Sequence, residues 1–384
     1  MRSALTILTV AVLSSGTVAQ AADVAFPTRE KLGEALFFDV NLSKNRTQSC
    51  STCHMPDIGF SDRQGAIAGN AVSVGDDGKS VGDRNAPSAA YAALTPPFHK
   101  DVNGAYLGGQ FWDGRASSLE DQAAGPPLNP GEMGMPDAKA VAERLKENPD
   151  YVAAFSALFG ADVLKDPNQA FRATTEAIAA FERTPEFAPF DSRYDRYLKG
   201  EVKFTEQEEL GRTLFFSTQF TNCNLCHDVK GAGGKFETST FSSHKYFNIG
   251  VPANAAIRAT NGTSSGFVDA GLAANPLVNG NPMERGKFKV PGLRNVAVTG
   301  PYMHNGVFGD LRTVILFYNK YNSKKKSRQI NPETGQRWAD AEISDNLARK
   351  ELETGPGLDD KRVDALVAFL KTLTDKRYEH LLDK

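Results

Sequence analysis

The chain has 384 residues, of which 44 are basic and 46 acidic, so its formal net charge is −2 at pH 7. Nucleic acids and anionic membranes attract strongly basic surfaces, and this balance argues against either as the main partner. The basic cluster at residues 324–328 is interpreted as a solvated loop rather than a docking patch. Hydrophobic residues make up 40% of the chain, and 34 glycines and 20 prolines indicate many loops. A chain with this somewhat low hydrophobic content and many loops is expected to fill part of its core with a large apolar group in addition to its own side chains.

The first residues predict export. Met1 and Arg2 form a short basic start, residues 4–13 are mostly apolar, and small residues at 19–21 offer a cleavage site. The sequence therefore predicts a signal peptide at 1–21 and a periplasmic mature protein. An apolar run this short cannot cross ~30 Å of hydrocarbon as a helix, so no membrane insertion is expected. An uncleaved N-terminal anchor is the alternative.

The four cysteines form two copies of one motif, Cys-x-x-Cys-His. The copies are Cys50, Cys53 and His54, and Cys223, Cys226 and His227. This spacing is typical of c-type haem attachment, in which the thiols bond the porphyrin and the histidine binds the iron. Two disulfides are the usual alternative in an exported protein, but they do not require a histidine after each pair. Zinc needs four ligands, which one motif does not supply. We therefore expect two covalently bound haem c groups.

A repeated segment precedes each motif. Residues 32–38 read LGEALFF and residues 210–216 read LGRTLFF, with the leucine and phenylalanine spacing of a short helix that packs against a haem. The two histidines of the motifs are 173 residues apart. The sequence therefore predicts a mainly α protein of two cytochrome c-like haem domains with long loop embellishments, at residues 22–195 and 196–384.

Other elements are predicted from periodicity and from turn residues. Residues 138–158 and 168–183 are expected to form amphipathic helices that close the first domain. Residues 185–203 are interpreted as a linker, and 362–373 as the final helix of the second domain. The glycine- and asparagine-rich stretch 250–286 is expected to be loop-like.

Axial ligation separates an electron-transfer haem from a catalytic one. An electron-transfer haem usually has both axial positions filled, whereas a peroxide-binding haem keeps one face open. The chain has no histidine between His54 and His99, so the first haem is expected to be five-coordinate and high-spin. His99 and His244 are interpreted as structural or surface residues, and His380 has no assigned role.

Several stretches resemble the bacterial dihaem cytochrome c peroxidase family. They are FWDGRA at 111–116, Gln122, Pro126, NPGEM at 129–133, FKVPGLRNV at 288–296 and PYMHNG at 301–306. The peroxidases of that family carry a methionine ligand on the second iron, where this chain has Tyr318. A tyrosine there, with no distal histidine in the first domain, resembles the MauG group of the family. Met303 is the nearby alternative ligand.

This resemblance implies a reaction on a protein. It predicts that the chain uses peroxide, or oxygen plus electrons, to complete tryptophan tryptophylquinone in the precursor of methylamine dehydrogenase. The oxidising equivalents would be held in a high-valent state shared by two haems. A small redox protein is a candidate electron donor. The alternatives are a periplasmic peroxidase that scavenges peroxide with electrons from a small cytochrome or copper protein, and a dihaem electron-transfer cytochrome.

The resemblance also implies roles for four residues. Trp112 would lie between the haems and couple them, although it could be an ordinary core aromatic residue. Glu132 would move a proton between the peroxide oxygens, because burial in a mostly apolar pocket raises a carboxyl pKa towards neutrality. The alternative for Glu132 is a solvated loop carboxylate. Gln122 would hold a water or the ligand, and Pro126 would limit access.

A calcium site and one departure complete the comparison with the family. The resemblance implies Ca²⁺ between the domains, bound by the Asn85 side chain, the backbone carbonyls of Thr299 and Pro301, and waters, and oxygen donors suit this ion. The departure concerns a tryptophan that the resemblance implies just before the second motif, where it would pass oxidising equivalents to the docked precursor. Residues 215–222 contain no tryptophan, and Trp338 lies far along the chain. Either the oxidising equivalents take another route, or the chain acts on a different protein.

Overall fold

A computed structural model describes residues 25–63, 71–229, 236–263 and 266–382. The predicted signal peptide therefore lies outside the described residues. Within these ranges no helix has both the length and the apolar character needed to span a bilayer. Helices provide most of the regular structure, in agreement with the predicted mainly α class.

Seven helices are described in the first half of the chain. They are α1 (Arg29–Phe37), α2 (Cys50–Cys53), α3 (Leu119–Ala123), α4 (Gly125–Leu128), α5 (Ala138–Lys146), α6 (Pro149–Phe159) and α7 (Pro167–Glu182). The prediction of one helix over residues 138–158 is wrong, because Pro149 cannot continue a helix and starts α6 instead. The Asn148 side chain caps this new helix by accepting a hydrogen bond from the Asp150 amide at 2.9 Å. The helix predicted at 168–183 is confirmed as α7.

Seven more helices are described in the second half. They are α8 (Arg193–Leu198), α9 (Glu206–Phe215), α10 (Cys223–Cys226), α11 (Ala255–Thr260), α12 (Leu311–Asn319), α13 (Arg349–Leu352) and α14 (Asp360–Lys371). The interpretation of residues 185–203 as a plain linker is wrong, since α8 lies in the middle of it. Ser192 and Asp195 form a capping box at its start, and Arg294 pairs with the buried Asp195 at 2.6 Å.

Two short antiparallel strand pairs lie beside these helices. β1 (His99–Lys100) pairs with β2 (Tyr106–Leu107), and β3 (Tyr246–Phe247) pairs with β4 (Phe288–Lys289). A bridge between Leu107 and Lys245 joins the two pairs. The predicted loop at 250–286 is the excursion between β3 and β4, and α11 is its one α-helix in the part that the structure describes.

The two halves repeat one packing unit. α1 crosses α7 in the first half, and α9 crosses α14 in the second. Glycine stands at both crossings: a Cβ at Gly33 would overlap the carbonyl oxygen of Ala177, and a Cβ at Gly211 would overlap that of Ala365. The repeated sequence LG…LFF therefore encodes a close helix crossing before each Cys-x-x-Cys-His motif.

The predicted domain boundary at 195/196 falls inside α8 and stays a prediction. Tyr194 of α8 packs with the hydrophobic cluster of the second half. Contacts between the halves are direct: the Tyr91 hydroxyl donates to Asp375 at 2.6 Å, and the Asn85 amide donates to the His304 carbonyl at 2.8 Å. These bonds fix the regions around the two haem motifs relative to each other.

Gly211→Ala is expected to destabilise the second half by about 3 kcal/mol, since overpacking at a rigid contact forces the backbone to move. Thermal unfolding of the haem-loaded protein measures the effect. Gly82→Ala is the control, because a Cβ there meets its nearest atom at 3.8 Å. Equal melting temperatures for the two variants would show that the α9–α14 crossing is not the tight contact described.

Candidate haem centres and peroxide site

The four cysteines lie on two short helices, α2 and α10, and all are free thiols. Burial raises the pKa of each thiol, to about 12 for Cys53 and for Cys226. The thiols are therefore protonated at neutral pH when nothing is bound to them, unlike the low-pKa nucleophile of a redox disulfide. Neutral buried sulfur suits the thioether bonds of c-type haem attachment.

The two motif histidines are held in the same way. His54 Nδ1 lies 3.2 Å from the carbonyl oxygen of Phe60, and His227 Nδ1 lies 2.9 Å from that of Phe241. Because a carbonyl only accepts, Nδ1 carries the hydrogen and Nε2 is left free to bind an iron. Burial lowers the pKa of both imidazoles, to about 4 for His227. Each ring is therefore neutral, as metal ligation requires.

A large and mostly apolar cavity surrounds the second motif. Among the residues in its wall are Phe215, Cys223, Cys226, His227, Leu293, Val296, Met303, Tyr318, Leu366 and Leu370. Apolar walls around two attachment thiols and an iron-binding imidazole fit a covalently held porphyrin. The residues present therefore suit the second haem c.

Two candidates for the second axial ligand share this cavity. Tyr318, on α12, and Met303 both lie in its wall with His227. Burial raises the pKa of Tyr318, so its phenol ionises only when a cation such as ferric iron is beside it. The geometry thus admits the predicted Tyr318 ligand and retains Met303 as the alternative.

Glu132 lies close to the first motif. Its charge acts on the Cys53 thiol, and the side chain of Ser73 also hydrogen-bonds that thiol. Burial raises the pKa of Glu132, while the Asn129 amide, 2.8 Å from its Oε1, and the charge of Arg115 act in the opposite direction. The raised pKa is the property expected of a proton-transferring carboxyl rather than of a solvated loop residue.

The other predicted residues of the first pocket lie on adjoining elements. Gln122 is on α3 and Pro126 is on α4. The Met133 amide donates to the Pro126 carbonyl at 3.2 Å, and the Asp76 amide donates to the Glu132 carbonyl at 2.7 Å. The turn that carries Glu132 is thereby held against both Pro126 and the segment near the first motif.

Trp112 lies in the wall of the second cavity, and its Nε1 donates to the Asn85 carbonyl at 2.8 Å. The preceding residue, Phe111, faces the start of α4, where a Cβ at Gly125 would lie 3.4 Å from its ring. The segment with Trp112 therefore runs from the second cavity towards the helix that carries Pro126.

Two residues that the sequence gave no role also line the second cavity, Lys289 and His304. Both occur in the stretches that resemble the family, and this was the only signal for them. His99 is exposed, and the partly buried His244 lies 3.4 Å from the Thr240 hydroxyl, so both fit the interpretation as structural or surface residues. His380, which has no assigned role, is exposed.

Comparisons with known proteins identify the family of this chain. Residues 27–203 match the family model for di-haem cytochrome c peroxidase. The methylamine utilization protein MauG of Paracoccus denitrificans is 55% identical over 379 residues, which are 98% of this chain and 96% of that protein. The chain belongs to the di-haem cytochrome c peroxidase family. The cytochrome c551 peroxidase of Nitrosomonas europaea is 33% identical over 72% of this chain and 68% of that protein.

A solved structure from the family gives the same picture. The diheme peroxidase BthA of Burkholderia thailandensis superposes with a TM-score of 0.80 and 34% identity, covering 92% of this chain and 87% of that one. Membership of the family confirms the fold of two c-type haem domains, the two haem c groups and the assignment as a peroxidase-like haem oxidoreductase. The disulfide and zinc alternatives are therefore excluded.

The attachment residues are tested by mass. We expect the double variants Cys50→Ala/Cys53→Ala and Cys223→Ala/Cys226→Ala each to lose both thioether bonds to one haem, so that the denatured protein carries one haem where the wild type carries two. Mass spectrometry under denaturing conditions counts them, and Cys→Ala in the other motif serves as the matched control. Two haems retained in either variant would contradict the assignment.

Proposed function

We propose that this haem oxidoreductase completes tryptophan tryptophylquinone in the precursor of methylamine dehydrogenase. The observation that carries the proposal is the 55% identity, over nearly the whole length of both chains, to a methylamine utilization protein MauG. The presence of Tyr318 in the wall of the second cavity supports it. The oxidant is peroxide, or oxygen plus electrons, and each peroxide takes two electrons and two protons to form two waters.

Two haem c groups, held by the Cys-x-x-Cys-His motifs, supply the peroxide-driven oxidation when bound. The chain's own contribution at the first site is proton transfer. Glu132 takes the proton from one oxygen of the peroxide and returns it to the other, which lowers the cost of breaking the O–O bond. Its raised pKa supports this role, since a base is most effective when its pKa is near the working pH.

Three further residues position the reactants. Gln122 holds water or peroxide by hydrogen bonds, and Pro126 narrows the entrance to the first pocket. Trp112 carries electrons between the two haem sites. Support for the Trp112 role comes from its place in the wall of the second cavity and from the Nε1–Asn85 hydrogen bond that fixes its ring.

We further propose a Ca²⁺ held by the Asn85 side chain and by the carbonyls of Thr299 and Pro301. In support, the backbone N–H of Asn85 donates to the backbone carbonyl of His304, which keeps Asn85 beside the 299–304 loop. The side-chain Nδ2 of Asn85 donates to the Ala71 carbonyl at 3.1 Å, so the side-chain oxygen, Oδ1, is the atom left to bind a cation.

The proposal places the mature chain in the periplasm, as the basic and then apolar N-terminal residues suggest. The precursor protein is the electron source for the reaction, and a small redox protein supplies electrons when oxygen is the oxidant. Because residues 215–222 contain no tryptophan, electrons from the precursor reach the second haem by a path other than the one the resemblance implies.

A scavenging peroxidase is the second candidate. Met303 in the second cavity and relatives named as cytochrome c peroxidases favour it. In that case a small cytochrome or copper protein would supply the electrons for peroxide reduction. A plain dihaem electron carrier fits less well, because no histidine between His54 and His99 is present to fill the second axial position of the first haem.

The shared relay is tested with Trp112→Phe. We expect this variant to weaken the spectroscopic coupling between the two haems and to slow quinone formation in the precursor together, because phenylalanine is much harder to oxidise than tryptophan. Trp338→Phe is the control for the coupling signal, since Trp338 packs against Phe308 and Phe317. An unchanged rate and coupling in Trp112→Phe would remove Trp112 from the mechanism.

A further inference from the structure

We propose that Lys289 and His304 form the edge of the second cavity that binds the propionate carboxylates of the second haem. A haem carries two such carboxylates, and a cavity that encloses them needs cationic or N–H donors at the matching place. The inference requires only the second haem and is independent of the reaction on the precursor protein.

Lys289 is the uncompensated cation of the cavity. Its Nζ donates to the carbonyl oxygen of Gly109, and it forms no ion pair with any of the residues that the structure describes. Burial lowers its pKa to about 8, against the opposing effect of the Asp113 charge. An ammonium group held out of water beside a neutral carbonyl is costly until an anion meets it.

Two acidic residues of the cavity wall, Asp269 and Glu342, are already paired with arginines. Arg84 binds Asp269 and Asp113 with nitrogen–oxygen distances of 2.7 Å, so its guanidinium is fully engaged. Asp269 and Glu342 both line the cavity, and Glu342 is 2.9 Å from Arg258. Glu351 also lines the cavity, where its charge acts on the Cys226 thiol. Among the described residues in the cavity wall, Lys289 is the one lysine or arginine.

His304 adds a second donor. Its side chain is buried, and its ring stacks on Phe288 with centroids 3.6 Å apart and 10° between the planes. Nε2 has no hydrogen-bond partner in the described part of the chain. With the ring hydrogen on Nε2, the imidazole offers one N–H donor to the cavity. A carboxylate oxygen in the cavity is the acceptor that this orphaned buried nitrogen lacks.

Hydrogen bonds to backbone carbonyls connect both donors to Trp112. The Lys289 amide donates to the Trp112 carbonyl at 2.9 Å, and Trp112 Nε1 donates to the Asn85 carbonyl at 2.8 Å. The Asn85 amide in turn donates to the His304 carbonyl at 2.8 Å. The carboxylate-binding edge and the relay tryptophan therefore form one rigid unit.

The test is the reduction potential of the low-spin haem in the haem-loaded protein. Removing a cation disfavours the added electron, so Lys289→Met is expected to lower the ratio of reduced to oxidised second haem about tenfold at a fixed potential, a shift of about 59 mV for one electron. Lys289→Arg, which keeps the charge, should stay near the wild type. His304→Leu should shift the potential in the same direction as Lys289→Met, and less.

Lys287→Met is the matched control, because Lys287 lies two residues away, pairs with Glu284 at 2.9 Å and is absent from the cavity wall. An equal potential shift in the Lys287 and Lys289 variants, or none in Lys289→Met with both haems attached, would overturn the inference. If Lys289→Met does not bind its second haem, the Lys289→Arg variant is the test. A second haem bound at the wild-type reduction potential supports a role for the positive charge at residue 289, and a lowered potential refutes that role. Failure of quinone formation by the wild type leaves these outcomes unaffected.

Discussion

Replacing Glu132 by glutamine is expected to slow the reaction of the enzyme with peroxide by roughly 10²–10⁴-fold, the range for lost acid–base catalysis. Glutamine keeps the size of the side chain and can still pair with Asn129, but it cannot take up the proton. Stopped-flow mixing of the ferric protein with peroxide measures the rate. The resting haem spectra should barely change, because Glu132 is not predicted to bind iron.

The pH dependence gives Glu132 a signature of its own. The ionised carboxylate is the active form, and burial raises its pKa, so the wild-type rate should fall as pH drops through a value above the ordinary carboxyl range. The rate of the glutamine variant should not show this fall at low pH. Glu120→Gln is the control, since Glu120 is on the neighbouring α3 and is paired with Arg183 at 2.7 Å. A wild-type rate in Glu132→Gln would contradict the assignment.

Replacing Tyr318 by phenylalanine is expected to remove the low-spin ferric signal of the second haem and leave the high-spin signal of the first. The phenolate is the strong donor proposed to complete the second iron, and phenylalanine has no atom to offer in its place. Electron paramagnetic resonance of the ferric protein measures both signals. Tyr321→Phe is the matched control, because its hydroxyl donates to the Ile249 carbonyl at 2.9 Å instead.

A Met303→Leu variant distinguishes the two candidate ligands of the second haem, Tyr318 and Met303. If Met303→Leu removes the low-spin signal while Tyr318→Phe leaves it, the second haem has the methionine ligand of a scavenging peroxidase. The cavity geometry permits this outcome, since both side chains line it. Loss of the signal in Tyr318→Phe alone would establish the tyrosine ligand.

The haem-attachment motifs and the helices before them could be predicted from the sequence, because each is encoded by a short run of neighbouring residues. The motifs at 50–54 and 223–227 and the repeated LG…LFF segments predicted both haem units, because spacing and helix periodicity are contained within a few residues. The break at Pro149 and the capping box at Ser192 were also visible locally, but the apolar periodicity of 138–158 and the loop-like composition of 185–203 outweighed them.

The carboxylate-binding edge could not be predicted in that way. Lys289 and His304 can serve as carboxylate donors only in the folded protein. There Arg84 neutralises Asp269, and hydrogen bonds through Trp112 and Asn85 connect the two donors. These partners lie up to 220 residues apart in the chain. No local pattern reports which of several buried charges stays unpaired after folding.

The central claim is that the oxidising power of the enzyme goes to a protein. The most direct measurement mixes haem-loaded enzyme with the precursor of methylamine dehydrogenase, a reduced small c-type cytochrome and limiting peroxide, and follows both absorbances. We expect quinone absorbance to grow in the precursor while most of the cytochrome stays reduced, and expect neither change to be enzyme-dependent when peroxide and oxygen are both left out. Rapid, sustained oxidation of the cytochrome with no quinone formed would contradict the claim and identify a scavenging peroxidase.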